Sequence, residues 1–376
     1  MNYLLNFINK AIKENRDWMK ELESAPYCLK IKEKNNYFLF KYNQYESDMS
    51  LPIVQEARGV IVKTHDAGAE YVCRPFSKFF NYGEENACEI DWSSARVLEK
   101  IDGSLMKLWW DGKWRLSTNG GINAFEVSVG ELNKTFGELF EEVLGKSVEE
   151  LGQYFCVKDT IMFELVSLEN KIVVDYPEAR IYYLGHRNNY SGKERFDTVN
   201  IYEYNLDCEN DKEIKIPQSY LLKSLDLCVE FVNTLTNYEG FVVCDKNFNR
   251  IKIKSEDYLL HHRALNNGVL TRRRFIKMLK EDMLDDYLAY TSKSLRFISK
   301  QFLADLDDFY NFANKTWEEN KCYSKSRKEF AKKIYDFPSG IKSFLFSKLD
   351  NEELSVSEWL MSKEVEQIVR TIWNKS

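Results

Sequence analysis

The apolar periodicity of this chain changes once, near His262, and that change limits the possible folds more than any other feature. Before it, over about 26–260, short runs alternate apolar and polar residues. "YCLKIKEKNNYFLFKY" reads as a hairpin turning at Asn35-Asn36. Runs at 59–63, 105–110, 114–118, 161–166, 171–174, 180–184, 241–244 and 250–254 read as further strands, and 124–144 and 221–235 carry helical spacing. Hairpins without regular strand–helix alternation predict an α+β domain rather than a doubly wound one. After His262, "RRRFIKMLKEDMLDDYLAY", "SLRFISKQFLADLDDFYNFA", "KEFAKKIYDF", "GIKSFLFSKL" and "SVSEWLMSKEVEQIVRTIW" all show i, i+3, i+4 apolar spacing. "FPSG" at 337–340 ends one helix and starts another. The expected fold is α+β: an antiparallel-sheet domain over 1–262, with an N-terminal helix, then an all-helical domain over 266–376.

Composition narrows the function classes. Apolar runs such as "GFVVC" fall far short of the ~20 residues a membrane span needs. The N-terminal "MNYLLNFINKAIKENRDW" spaces Leu4, Leu5, Ile8 and Ile12 as an amphipathic helix and lacks a secretory cleavage pattern. Eight scattered cysteines without a C-x-x-C pair point to reduced thiols and a cytoplasmic setting, and four histidines form no zinc pattern with them. Residues 263–376 hold 21 Lys and Arg against 17 Asp and Glu, whereas residues 1–262 hold 32 against 42. A basic tail on an acidic body is compatible with a nucleic-acid partner, and equally with a solvated helix face.

Four segments carry candidate chemistry. "KIDG" at 100–103 lies between two strand-like runs, where Lys100 reads either as a solvated turn residue or as a nucleophile. "TIMFELVS" puts Glu164 inside an otherwise apolar strand, and such a carboxylate is costly without a partner. It is either one half of a buried salt bridge or a ligand for a hydroxyl or a metal. "NYEGFVVCDKNFNRIKIKS" opens a strand with Glu239-Gly240 and returns with Lys252 and Lys254 on one strand face. An anion between the two ammoniums would stabilise them; a lysine-rich edge strand is the plainer alternative. Upstream, "EARGVIV" and "CRPFSKFFN" place Arg58, Arg74 and Lys78 at strand starts or turns.

Together these segments resemble the covalent nucleotidyltransferases, the superfamily of RNA ligases, DNA ligases and capping guanylyltransferases. "KIDGS", "MFELV", "YEGFVV" and "IKIKS" are similar to its motifs I, III, IV and V, in that order. "EARGVIV", "RPFSKFFN", "ENKIVVDYPEARIYYLGHRNN" and "IKSEDYLLHH" resemble the RNA ligase 1 family of tailed bacteriophages, over about 35–262. One position departs: Asn119, in "STNGG", stands where that family usually has a lysine.

The resemblance implies an ATP-dependent RNA ligase that uses Mg²⁺. Lys100 would carry AMP, Glu164 would bind the ribose hydroxyls, and Glu239 would be the metal carboxylate. Lys252 and Lys254 would grip the α-phosphate, and Arg58 and Lys78 the outer phosphates or the RNA 5′-phosphate. Asp102 and Gly103 would shape the turn, with Asp102 also contacting metal or substrate. Tyr258 would serve the joining steps, or be a packed core tyrosine. An attacking lysine must lose its proton despite an unperturbed pKa of about 10.4, and neighbouring cations favour that loss. The implied partner is RNA with 5′-phosphate and 3′-hydroxyl ends, such as nicked tRNA, supplied by an RNA-end kinase-phosphatase. Rival readings are a nucleotidyltransferase for DNA ends or caps, and an inactive RNA-binding homologue. No strand pattern of an OB-fold follows "IKIKS", which counts against the first rival.

Overall fold

The alternation at 28–41 is a hairpin: β1 (Lys30–Lys34) pairs antiparallel with β2 (Tyr37–Lys41), and Asn35 between them takes a φ of 56°. Asparagine tolerates that left-handed backbone better than most residues. The structure is a computed structural model that describes residues 2–373 apart from 45, 130–132, 169–173, 209–211, 256–257, 259–269, 281–283 and 285–292. It divides into two units, Met1–His262 and Arg263–Ser376.

The first unit is built on three sheets. β1 and β2 continue into β3 (Arg58–His65) and β4 (Gly68–Cys73) as a four-stranded meander. A second sheet has the order β11-β10-β9-β7-β8: Glu194–Arg195, Arg180–Asn188, Asp159–Val166, Ser104–Trp110 and Trp114–Thr118. A third has the order β12-β6-β13-β14-β5: Ser219–Tyr220, Arg96–Glu99, Gly240–Cys244, Arg250–Lys254 and Phe80–Asn81. Pairing is antiparallel among these strands except between β14 and β5.

Helices cover the sheets with their apolar stripes. α1 (Tyr3–Lys13) buries Leu4 and Ile8 in a core shared with Phe38, Phe40, Val60 and Val62. Phe136–Leu144 seats Leu139 and Phe140 among Met106, Leu116 and Phe163 of the second sheet. Each such fully buried side chain contributes about 2–3 kcal/mol. Helices of the second unit pack through aromatic pairs such as Phe275–Phe302, Trp317–Phe330 and Phe344–Trp359.

Several expected elements are shorter than the apolar spacing suggests. The helix expected over 124–144 is a 3₁₀ turn, Ala124–Glu126, and a separate α-helix, Phe136–Leu144. Thr135 and Glu138 form a reciprocal capping box there, which satisfies the orphaned N–H groups at that point in the chain. Likewise 221–235 reduces to Leu225–Val232, capped by Ser224. "SVSEWLMSKEVEQIVRTIW" is two helices, Val356–Met361 and Val365–Trp373. Of the strand expected at 171–174, only Val174 is among the described residues, and it belongs to no strand. All eight cysteines are free thiols. No described helix is long and apolar enough to cross a membrane.

Candidate active site

The turn that carries Lys100 passes from one sheet to another, because β6 belongs to the third sheet and β7 to the second. It is not a solvated loop: Ile101 and Asp102 are each 4% exposed. The Lys100 N–H donates to the Gly240 carbonyl at 2.8 Å, and the Asp102 N–H donates to Tyr176 Oη at 2.9 Å. Asp102 Oδ2 accepts from the Val174 N–H at 2.9 Å and Oδ1 from the Tyr258 hydroxyl at 3.1 Å. Gly103 has no room for a side chain, since a Cβ would stand 2.4 Å from the Leu165 carbonyl oxygen.

Lys100 therefore leaves a fixed backbone, and its ammonium meets a buried carboxylate. Nζ lies 2.5 Å from Glu239 Oε2, and the other oxygen, Oε1, lies 3.0 Å from Lys254 Nζ. The Lys254 and Glu239 side chains are each 1% exposed, against 18% for Lys100. Gly240 must be glycine: its φ is 148°, and a Cβ would stand 2.0 Å from the Ile253 carbonyl oxygen. Tyr258 closes this corner, with Lys254 Nζ 5.0 Å from its ring centre.

Glu164 comes from the middle of β9, where Met162, Phe163 and Leu165 are fully buried. The residue keeps some exposure, yet its carboxyl is crowded by protein, and that loss of water pushes its pKa up to about 7. Lys100 and Arg58 pull in the opposite direction, while Glu239 and Asp102 add to the rise. Lys100, Glu239, Arg58 and Asp102 thus all lie within electrostatic reach of Glu164.

The remaining cations gather on aromatic rings. Arg58 and Lys252 lie 5.5 and 5.2 Å from the centre of the Phe79 ring, a cation–π distance for both. Arg58 Nη1 is buried without a hydrogen-bond acceptor. Lys78 Nζ donates to Tyr42 Oη at 3.1 Å and Gln44 Oε1 at 3.4 Å. Arg74 lies apart from this cluster: Nη2 pairs with Glu56 Oε1 at 3.0 Å and Nη1 donates to Asn2 Oδ1 at 2.8 Å. Its role is to hold α1 and the short helix Pro52–Glu56 against the first sheet.

Three contributors have no place in the sequence reading. Phe79 unites two cations, and Tyr176 pins Asp102. Lys107, fully buried on β7, donates to the Gly59 carbonyl, and burial lowers its pKa to about 8. A Cβ on Gly59 would stand 2.7 Å from Asn119 Oδ1 and 2.9 Å from Lys107 Nζ, so Lys107 lies beside Asn119. The rule that singles out Glu164 applies equally to Lys107 in "SLMKLWW".

The donors suit a nucleotide, since a buried guanidinium nitrogen without an acceptor is a ready anion ligand. For a metal, the described residues offer no cluster of three ligating side chains. Both Asp102 oxygens are committed to protein donors. Glu239 is already bracketed by the Lys100 and Lys254 ammoniums, so a divalent cation there would share its oxygens with them and bring most of its own water and phosphate ligands.

Comparison with known proteins gives the same family as the motifs. A family model described as RNA ligase matches residues 56–259. The chain is 34% identical over 284 residues to an Autographa californica nuclear polyhedrosis virus protein provisionally named bifunctional polynucleotide kinase/RNA ligase. That match covers 69% of this chain and 39% of the viral protein, so the chain spans about two fifths of that relative. It is 25% identical to an RNA ligase of Rhodothermus phage RM378, over 86% of this chain and 87% of the phage protein. Among solved structures, an archaeal ATP-dependent RNA ligase matches with a TM-score of 0.47 and 14% identity, over 79% of this chain and 78% of that one.

Proposed function

The chain belongs to the RNA ligase family, and from that premise we propose that it seals a 5′-phosphate RNA end to a 3′-hydroxyl end at the expense of ATP. The observation that carries this reading is the bridge Lys100–Glu239–Lys254 at the turn from the third sheet to the second; Arg58, with its open donor, acts like Lys100 on the Glu164 carboxyl. In the first step Lys100 Nζ, once it has given up a proton to become an amine, attacks the α-phosphate. A P–N bond forms, the P–O bond to pyrophosphate breaks, and a second proton leaves Nζ on the side of Glu239 Oε2. Lys252 and Lys254 bear on the α-phosphate, and Arg58 and Lys78 on the outer phosphates; the step relies on charge stabilisation and in-line positioning. Glu164 takes the ribose hydroxyls, and Asp102 fixes the turn. A divalent cation, Mg²⁺ in this proposal, would be held by Glu239 and would neutralise phosphate charge. AMP then passes from Lys100 to the RNA 5′-phosphate, and attack by the 3′-hydroxyl releases it.

Unit Met1–His262 is the adenylyltransferase domain in this reading, and Arg263–Ser376 docks the folded RNA. The basic excess after His262, with Arg272, Arg273, Arg274, Lys277 and Lys280 on one helix, supports the second assignment. Nicked tRNA is the proposed substrate. The polynucleotide kinase named in the viral relative supports a partnership with an RNA-end kinase-phosphatase. Tests begin with α-labelled ATP and Mg²⁺, followed by denaturing electrophoresis and peptide mapping. The label is expected on Lys100 and absent from Lys100→Ala; label retained by that variant would refute the assignment.

A further inference from the structure

Beyond Phe79, a pocket of about 530 Å³ opens between the β13–β14 turn and the segment 77–80. Its lining includes Lys78, Lys193, Lys246 and Arg250, with Asn247, Phe248 and Asn249, and Arg250 lies 5.4 Å from the centre of the Phe248 ring. Glu194 is the acid of that lining, and it is already engaged: Oε2 lies 2.6 Å from Arg250 Nη1 and Oε1 lies 3.9 Å from Arg187 Nε. Lys246 reaches Asp91 at 3.0 Å but keeps 65% of its side chain exposed. The lining thus combines cations, aromatic rings and amide side chains.

Phe248 carries an independent signal. Its φ is 62°, a left-handed conformation that a bulky side chain rarely takes and glycine takes freely. The turn is built to keep it there. Asp245, buried beneath, accepts from the Asn247 N–H at 2.8 Å, the Asn249 N–H at 3.0 Å and Asn249 Nδ2 at 2.9 Å. A strained aromatic held by a rigid turn at the wall of a cationic pocket points to use of its ring face. Arg250, Lys252 and Lys254 alternate on one face of β14, so cations run about 13 Å from this pocket to Glu239.

We propose that the pocket holds an unpaired nucleotide of the RNA strand being joined. Its base would stack on Phe248, its edge would meet the Asn247 and Asn249 amides, and its phosphate would lie at Lys193 and Lys246. This rests on the RNA ligase reading and places the strand next to the ATP site, with Lys78 and Phe79 at their border. Single-stranded nucleic acid is bound in this way elsewhere, by aromatic faces for bases and a basic groove for the backbone.

The test uses the full chain and the variant Phe248→Gly, which the local φ favours, together with Lys193→Ala/Lys246→Ala. A short 5′-phosphorylated single-stranded RNA is the probe, read by fluorescence anisotropy and by ligation KM, with ATP-dependent labelling of Lys100 measured alongside. The expected result for Phe248→Gly is an undiminished melting temperature, an RNA Kd and KM about ten-fold weaker, and an unchanged ATP KM for labelling. The lysine pair is expected to weaken RNA binding and flatten its salt dependence. RNA affinity like that of the parent protein in a folded Phe248→Gly variant overturns the proposal. A matching rise in the ATP KM also overturns it, by assigning the pocket to the nucleotide's phosphates. Failure of the parent protein to label at Lys100 strikes the RNA ligase reading instead, and the anisotropy arm still decides this one.

Discussion

The two five-stranded sheets both carry charged side chains into the protein, and they treat them in opposite ways. In the β12-β6-β13-β14-β5 sheet, Glu239 on entry to β13 is bracketed by Lys100 and Lys254. In the β11-β10-β9-β7-β8 sheet, Glu164 has no hydrogen-bond or ion-pair partner among the described residues, and the Lys107 ammonium meets a backbone carbonyl and, among those residues, no carboxylate. The pKa directions follow: burial raises the Glu164 carboxyl and lowers the Lys107 amine. A buried charge that is paired is part of the folded architecture, whereas one left unpaired disfavours the fold until something arrives to match it. The third sheet thus holds its buried carboxylate already paired; the second holds Glu164 unmatched, as a residue proposed to meet a ligand would be.

The contrast is broken most severely at Glu239. Glu239→Ala leaves two ammoniums side by side without their shared counter-charge, and is expected to cost about 3–5 kcal/mol in urea unfolding. Glu239→Leu combined with Lys254→Met is expected to regain most of that stability while Lys100 stays unlabelled by ATP. A loss below about 1 kcal/mol in the single variant would show that the bridge does not hold the fold.

Glu164→Gln tests the other sheet with the opposite sign. The folded-state pKa of about 7 stands above the ordinary 4.5, so the folded protein binds the extra proton between those values. Wild-type stability should therefore fall as pH rises from about 4.5 to about 7 and stay low above it. At pH near 8 the variant is expected to be more stable by on the order of 2–3 kcal/mol, with no difference below about pH 4, while ligation is lost. Melting temperatures that differ equally across that range would contradict an ionised, unpaired Glu164.

Lys107→Met should have the smallest effect. The folded pKa of about 8 lies below the ordinary 10.5, so the stability of the parent protein should rise as pH climbs between them. That slope should vanish in the variant. At pH near 7 the net change is expected to stay under about 1.5 kcal/mol, because losing a buried ammonium offsets leaving the Gly59 carbonyl without its donor. A steep slope persisting in Lys107→Met would assign it to another group.

Much of the site is legible in the sequence because its signals are local. A carboxylate inside "TIMFELVS" and two lysines spaced by two in "IKIKS" mark β9 and β14 without any knowledge of what packs on them. The burial of "KIDG" is not legible, since its partners Tyr176, Gly240 and Tyr258 arrive from distant segments. The same distance hides the Phe79 platform and the pairing of Arg74 with Glu56. At 124–144 the apolar spacing runs through a turn because it reports which side faces the core; only the Thr135–Glu138 cap reports where a helix begins.

If Lys100 carries AMP as proposed, the bridge at Glu239 changes its charge. As a phosphoramidate the lysine nitrogen would no longer carry a positive charge, and the bound AMP would add a negative one. Glu239 would then face Lys254 alone, and the site would be two charges more negative than before. Storing the nucleotide would thereby reset what the site attracts. On that mechanism an empty site favours a polyanion such as ATP, while a loaded one repels a second ATP and has more need of a cation. One carboxylate and two amines would then suffice to order the events.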